Sequence, residues 1–508
     1  MQQLDPQHVK FIYQETSTTP MHMAGFGIFD QSTVPGGRLG HKNIINFFEE
    51  RLHLAPRMRQ RLVQVPLDLD RPYWINDPNF DIEFHIRHIA LPHPGDWRQL
   101  CILISRINSR PLAMERPPWE VYIIEGLDNV EGVPKGSFVL YIKIHQACTE
   151  GWNGHAMLAA LLDTAPDAVI APARETWAAE REPSNLELLL RSMPNRVSGP
   201  YRQVSRLSKK LPRVGTGLRD MLNSDVDTGA KFNVPDTRFN RTPSAHRVFE
   251  ATRVPLQDLQ TIKRAVNGAT INDVVITIVG GAMRRYLQRH GELPEQSLGV
   301  TVPVHIADEN SNEGSRTVDM LVDMHTDLFD PMECLQAVHH SAVNAKKLAA
   351  KFDVGDFVKG EFSNMLTPAM TKSLNRWTGR LHLADKVGAV GANTMIVNQA
   401  GPDAPLYHTG ARMLNYYGIP ALTNMLGLAH MVLSYAGNVT ITAYACRDML
   451  PDPEFYIECI RAEYNDCLQA AGKSVNGQKQ TLRKKARQTR SKIQPKTPTA
   501  AKKAKAVA

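Results

Sequence analysis

The residues best equipped for chemistry lie between Ile142 and Gly154, in the stretch IKIHQACTEGWNG. An apolar run ends in His145, Gln146 follows it, and the acid Glu150 stands directly before Gly151. An imidazole titrates near neutral pH and can carry a proton, whereas the carboxamide of Gln146 can only give or take a hydrogen bond. A glycine after the acid permits a sharp strand-to-helix turn. If the strand continues through His145, side chains alternate and His145 and Gln146 face opposite ways. His145 then reads either as a base or as a buried structural histidine. Cys148 offers a thiol three residues away, with an inert packed cysteine as the expected state. His339 and His340 also form a pair, but inside a helical pattern and without a following acid and glycine, so they are expected on the surface.

Strands and helices must hold these side chains. Trp119 to Gly126 and Ser137 to Ile144 are β-rich and continuously apolar, as interior strands are. Residues 81–92 alternate apolar and polar, as a half-buried strand does, and GHAMLAALLD after Gly151 has helical composition. From about 165 to 245 prolines recur and a basic segment appears, which reads as a long connector with one helix around Asn185 to Arg191. Beyond it come a strand (HRVFEATRV), a helix (LQDLQTIKRAV) and a long buried helix with Thr270 as its N-cap. Asn272 and Asp273 fall in that helix's first turn, where side chains can satisfy free amides. SLGVTVPVHI reads as a strand and Asp330 to Lys351 as a helix. A strand–turn–strand with Gly437-Asn438 at the turn and a helix opening near Asp452 complete the pattern. The fold class is α/β with two mixed-sheet domains: 1–165, a basic connector 166–245, and 246–472, followed by a tail 473–508.

The 508 residues suit two cores better than one, and 43% hydrophobic with 22% charged residues is ordinary for a globular chain. The net charge of +8 belongs to the tail. Residues 473–508 hold twelve Lys/Arg and no Asp/Glu, so residues 1–472 carry −4, the total of +8 less those 12. A tail so poor in large apolar residues is expected to be disordered; it reads either as a binder of a polyanion, anionic lipid or nucleic acid, or as a merely solvated end. The opening lacks a signal peptide's basic and apolar regions. The most apolar span, Ile419 to Gly437, is interrupted by Thr423, Asn424 and His430, which argues against a transmembrane helix. Six scattered cysteines without a CxxC pair point away from disulfides or zinc and towards a reducing cytoplasm.

The His145–Gly151 segment resembles the HHxxxDG motif of acyl-CoA-dependent acyltransferases, and its context resembles one branch of them, the bacterial wax ester synthase/diacylglycerol acyltransferases. TTPMHMAGFGIFD (18–30), PRMRQRLV (56–63) and the stretch 73–100 are similar to that family's N-terminal region. RPPWEVYIIEGL (116–127) resembles its PLW motif, with Pro117 and Trp119 kept and Pro118 in place of leucine. Asn272 and Asp273 match its ND motif, VTVPVHI (300–306) its inner strand, and Asn398, Gly401 and Pro402 its N-x-x-G-P motif. Residues 427–452 resemble its closing hairpin, so the likeness runs from about 5 to 470 in family order.

The resemblance implies two chloramphenicol-acetyltransferase-like domains with a tunnel between them. Acyl-CoA enters on one side, and diacylglycerol or a long-chain alcohol on the other. The second histidine of the motif takes the hydroxyl proton while the oxygen attacks the thioester. That position is Gln146 here, Glu150 replaces the aspartate, and Gly151 is kept. His430 stands where the family has an apolar or amide residue, and it is a candidate substitute base if its strand borders the tunnel. His305 and Ala307 replace a usual Ser and Arg, and Val397 and Ala400 replace common residues around the N-x-x-G-P glycine. The expected function is an O-acyltransferase making triacylglycerol or wax ester, with altered catalysis. The alternative is a non-catalytic paralogue that binds acyl-CoA or neutral lipid. No metal or redox cofactor is implied, and the expected place is cytoplasmic, peripheral to the inner membrane or to lipid inclusions.

Overall fold

The structure is a computed structural model that describes residues 1–34, 36–37, 39–149, 161–168, 177–193, 234–307, 315–351 and 391–492. Its strands are β1 (Gln2–Gln3), β2 (His22–Asp30), β3 (Gln60–Val63), β4 (Tyr73–Asn76), β5 (Ile86–Ala90), β6 (Trp119–Glu125), β7 (Phe138–His145), β8 (Arg247–Pro255), β9 (Gly299–Ala307), β10 (Ser315–Asp323), β11 (Thr394–Gln399), β12 (Tyr407–His408), β13 (Ala411–Ile419), β14 (Leu428–Tyr435) and β15 (Asn438–Cys446). Two six-stranded sheets carry the fold, ordered β12-β13-β2-β7-β6-β5 and β10-β9-β11-β14-β15-β8. Both are mixed: β5 runs parallel to β6, and β11 runs parallel to β9 and β14.

The second sheet buries one face under its own helices and the other against the first half. Along β14 the alternation is visible. Leu428 and Val432 join the core under the helices Ile271–Arg289 and Pro453–Lys492, while Ala429 packs with Phe26, Tyr141 and Leu100 of the first half. Helix Trp97–Asn108, closed by an Asp96/Gln99 capping box, lies in that shared core, and Trp97 donates its indole N–H to Glu250 on β8. Burial raises the Glu250 carboxyl above its usual range.

The expected division at residue 246 is crossed by the chain itself. After β11 the chain leaves the second sheet, adds β12 and β13 to the edge of the first, and returns as β14. β13 pairs with β2 from Arg412 opposite Asp30 to Ile419 opposite Ala24. Sheet membership therefore assigns 407–419 to the first half, because the free edge of β2 offers a full ladder of hydrogen bonds. Gly401 marks the exit. A Cβ there would stand 2.2 Å from the Ser434 carbonyl oxygen, and the Pro402 carbonyl accepts the Ala436 N–H.

Three other expectations change. Residues 81–92 open with a short helix, Ile82–His85, because the Asp81 side chain caps it by accepting the Glu83 N–H; only Ile86–Ala90 is a strand. The hairpin turn is Ala436-Gly437, one residue earlier than expected, with φ of 46° and 78°. The last helix runs from Pro453 to Lys492, twenty residues into the stretch expected to be disordered, since nothing breaks the helical pattern there. The tail beyond it, most of the connector and residues 154–160 of the GHAMLAALLD segment lie outside the described residues. No described helix is long and apolar enough to cross a membrane.

Gly401→Ala is expected to lower stability by about 1–3 kcal/mol, because rigid backbone blocks the new methyl. Gly418→Ala, whose Cβ would meet the flexible Met431 Sδ at 2.4 Å, is expected to cost less. Urea midpoints of the two variants check the order.

Candidate active site

The motif strand β7 ends where two chains meet it. The His145 N–H donates to the Pro118 carbonyl and the Gln146 N–H to the Met21 carbonyl, both at 3.0 Å. Pro118 is set by its neighbour: Trp119 is buried, donates its indole N–H to the Met58 carbonyl at 2.7 Å, and stacks on His85 with ring centres 4.4 Å apart. The Trp119 N–H turns back to the Pro117 carbonyl at 2.8 Å. The proline–proline–tryptophan segment thus builds the backbone acceptor that holds the histidine end of β7.

After His145 the chain turns into a 3-10 helix, Gln146–Thr149, closed by the Thr149 hydroxyl donating to the Gln146 carbonyl at 2.7 Å. The strand does not continue, and His145 is fully buried. Its Nδ1 accepts the Ala147 N–H at 3.1 Å, so the neutral ring carries its proton on Nε2. Among the described residues that Nε2 has no hydrogen-bond partner, and it faces the Glu15 Oε2 at 3.6 Å. Cys148 is buried with Sγ 4.0 Å from the Pro118 carbonyl. His22, opposite His145 on β2, is kept neutral: burial first, then Lys143, holds its pKa well below the usual value. Glu150 and Gly151 lie outside the described residues.

Glu15 was not singled out from the sequence. It follows the first helix, Pro6–Gln14, and accepts the Met21 N–H at 3.2 Å. It also stands on the wall of an open cavity of about 1140 Å³ between the two halves. Ile12, Tyr13, Glu15 and Thr16–Thr18 line it from the first half, and Arg238, Arg241, Asn424 and Met449 from the second. Gln146 is not among its wall residues. No spacing signal links Glu15 to His145, 130 positions later; the antiparallel pairing of β2 with β7 makes the link.

The other sequence candidates fall into a second group. Asn272 and Asn398 are brought together, the Asn398 amide donating to the Asn272 carbonyl oxygen. Asp273 forms a capping box with Thr270 and accepts from His339 Nδ1 at 2.8 Å. His339 is therefore not a loose surface residue: its ring pairs with Asp273 and fits beneath Gly268, where a Cβ would meet Nε2 at 3.0 Å. His340 is exposed, as expected. Gly401 donates its N–H to the Ser434 hydroxyl at 3.1 Å.

His430 does not border the cavity. It points into the second half's own core, with Nδ1 3.1 Å from the Thr394 hydroxyl and Nε2 2.8 Å from the Tyr456 hydroxyl. Alternation along β14 puts it on the helix-covered face, and burial pushes its pKa down to about 3. With both nitrogens occupied it cannot serve as a base.

The likenesses agree with this architecture. The solved first condensation domain of the CDA synthetase matches 93% of this chain and 96% of its own at a TM-score of 0.50 and 13% identity, a likeness of fold alone. Two mixed six-stranded sheets packed against each other are thus the fold class of this protein. A wax ester synthase/diacylglycerol acyltransferase from Marinobacter aquaeolei VT8 matches 92% of this chain and all of its own, with a TM-score of 0.62 and 25% identity. The "Wax ester synthase/diacylglycerol acyltransferase catalytic domain" model matches residues 4–275, and the family's C-terminal domain model matches residues 314–488. A putative diacylglycerol O-acyltransferase of Mycobacterium tuberculosis is 30% identical over 89% of this chain and 87% of its own length. An O-acyltransferase of Acinetobacter baylyi is 28% identical over 89% and 93%. The chain belongs to the wax ester synthase/diacylglycerol acyltransferase family.

Two buried histidines set a pH dependence. His408, fully buried against Phe47, has a pKa near 3 like His430, from burial in both cases. The unfolded chain takes up these protons near 6.5, and the folded chain does not until about 3. Stability therefore falls as pH drops below 6.5, by about 2 kcal/mol per histidine at pH 5. Urea midpoints between pH 7.5 and 5 should fall accordingly, and less steeply in His430→Gln.

Proposed function

We infer that this protein transfers a fatty acyl group from acyl-CoA to the hydroxyl of diacylglycerol or a long-chain alcohol, making triacylglycerol or wax ester. The observation that carries this is the match of both family domains across the chain, together with a cavity between the halves whose wall includes Glu15, 3.6 Å from the histidine that ends the motif strand. The relatives are named for these reactions. The hydroxyl oxygen attacks the thioester carbonyl, the C–S bond breaks, and CoA leaves as its thiol. Holding both substrates in one enclosed site supplies much of the rate, and an activated thioester needs less help from a base than an amide would.

Gln146 changes the proton chemistry at the motif. Its carboxamide can orient an alcohol but cannot hold the hydroxyl proton. A second reading, an acyl-CoA or lipid-binding protein without turnover, rests on this residue.

A place at the surface of a membrane or a lipid inclusion fits the substrates. Leu186, Leu190 and Met193 stand exposed at positions i, i+4 and i+7 of the helical stretch 185–193, with Leu67 also exposed. Such a stripe, together with the basic sequence of 473–508, supports peripheral contact with an anionic lipid surface.

Purified protein given palmitoyl-CoA with dioleoylglycerol or hexadecanol is expected to form ester, read by thin-layer chromatography of labelled acyl chains. Gln146→His is expected to raise kcat, by no more than the roughly 100- to 10,000-fold that a general base contributes. Absence of ester with both alcohols, in native protein and in Gln146→His, would sink the enzyme reading.

A further inference from the structure

We propose that Glu15 is the general base of this acyl transfer, doing from just beyond the first helix the work that Gln146 cannot do at the motif. The inference rests on the acyltransferase reading above. Three features lead to it.

The first is placement. Met21 holds both residues with one backbone unit: its N–H donates to Glu15 Oε1 at 3.2 Å, and its carbonyl accepts the Gln146 N–H at 3.0 Å. The Glu15 carboxylate thus hangs beside the motif position, yet stands on the cavity wall. Its side chain is 17% exposed, against 0% for His145.

The second is the state of His145. Its Nδ1 lone pair is used by the Ala147 N–H, so Nε2 carries the proton and faces Glu15 Oε2 at 3.6 Å. With the Nδ1 lone pair taken and the proton on Nε2, His145 has no free lone pair with which to accept a proton from an alcohol. It can only orient and stabilise the carboxylate, as a positioning residue. That gives a purpose to a fully buried Nε2–H with no other partner among the described residues.

The third is charge. Among the described residues, the cavity wall carries the carboxylates Glu15, Asp68, Asp236, Glu292 and Asp448 against two guanidinium groups. Both guanidinium groups are ion-paired, Arg238 with Glu292 and Arg241 with Asp236, each at 2.6 Å. An acidic wall repels the phosphates of CoA and admits a neutral alcohol. The hydroxyl therefore arrives on the side where Glu15 stands, while the thioester comes from elsewhere.

In the reaction, Glu15 takes the hydroxyl proton as the oxygen bonds to the thioester carbonyl carbon. The tetrahedral intermediate collapses with loss of the thiolate, and the protonated Glu15 returns the proton to sulfur. Ester and CoA thiol leave, and Glu15 is again a carboxylate.

The test is steady-state kinetics on the full chain with palmitoyl-CoA and dioleoylglycerol or hexadecanol, comparing native protein, Glu15→Gln, Glu15→Asp, Gln146→His and the double variant Glu15→Gln/Gln146→His. Glu15→Gln keeps an acceptor for the Met21 N–H and is expected to lower kcat by about 100-fold or more with little change in KM. Glu15→Asp, which keeps a base with a shorter reach, should retain more kcat than Glu15→Gln. The double variant should recover to near the rate of Gln146→His, because an imidazole at 146 restores a base; a merely structural Glu15 would give no such rescue. Unchanged kcat in Glu15→Gln, equal losses in the Gln and Asp variants, or a double variant as inactive as Glu15→Gln would each overturn the proposal. Native protein that is silent while Gln146→His turns over would overturn it too and leave the acyltransferase site intact. Silence in both would remove the enzyme reading on which it rests.

Discussion

The exchange of β13 into the first sheet is the constraint on which the rest of the structure depends. A strand taken from the middle of the second half completes the ladder of β2, and the Thr440 and Thr442 hydroxyls of β15 donate to the Tyr416 and Gly418 carbonyls of β13. The two halves cannot separate without breaking a sheet. Their shared core, with Phe26 stacked on Tyr417 at 4.8 Å and edge-on to Phe249, is held at fixed geometry as a result. A cavity lined from both halves then keeps its shape, which a reaction between two bound substrates requires.

The short motifs of this chain act mostly by fixing the backbone. Pro118 supplies a carbonyl to His145, Trp119 fixes Pro118 by its own indole bond, and Gly401 lets the chain leave β11 against the Ser434 carbonyl. Asp273 closes a capping box and receives His339, and Asn272 receives Asn398. These contacts join distant segments at points where a side chain of another size or polarity would leave a buried polar group unpaired, at a cost of about 1–3 kcal/mol each.

Proton chemistry is segregated by burial. His22, His408 and His430 are held neutral in the two cores, and His145 has its acceptor nitrogen closed by a backbone amide. Lys143 is fully buried beside Glu120, with burial lowering its pKa. The carboxylates meet the cavity instead, Glu15 among them. A histidine in the sequence is thus a poor guide to where a proton is moved in this protein.

Much of the fold was legible from local signals. The apolar runs of β6 and β7, the Thr270 cap, and the helices from Leu256 and Ile271 follow from periodicity and capping, which act within a few residues and so are written in the sequence itself. The family resemblance rested on the same kind of short, ordered segments. The early helix at Ile82 and the turn at Ala436 were missed because a single cap or a left-handed residue outweighs alternation over so short a span. By itself, then, the sequence determined the elements, the class of chemistry and the loss of a motif base at Gln146. Only the tertiary structure decided that 407–419 belongs to the first sheet, that His430 faces the core and that Glu15 faces His145. Strand pairing and burial are set by contacts between residues far apart in the chain, and no local pattern records them.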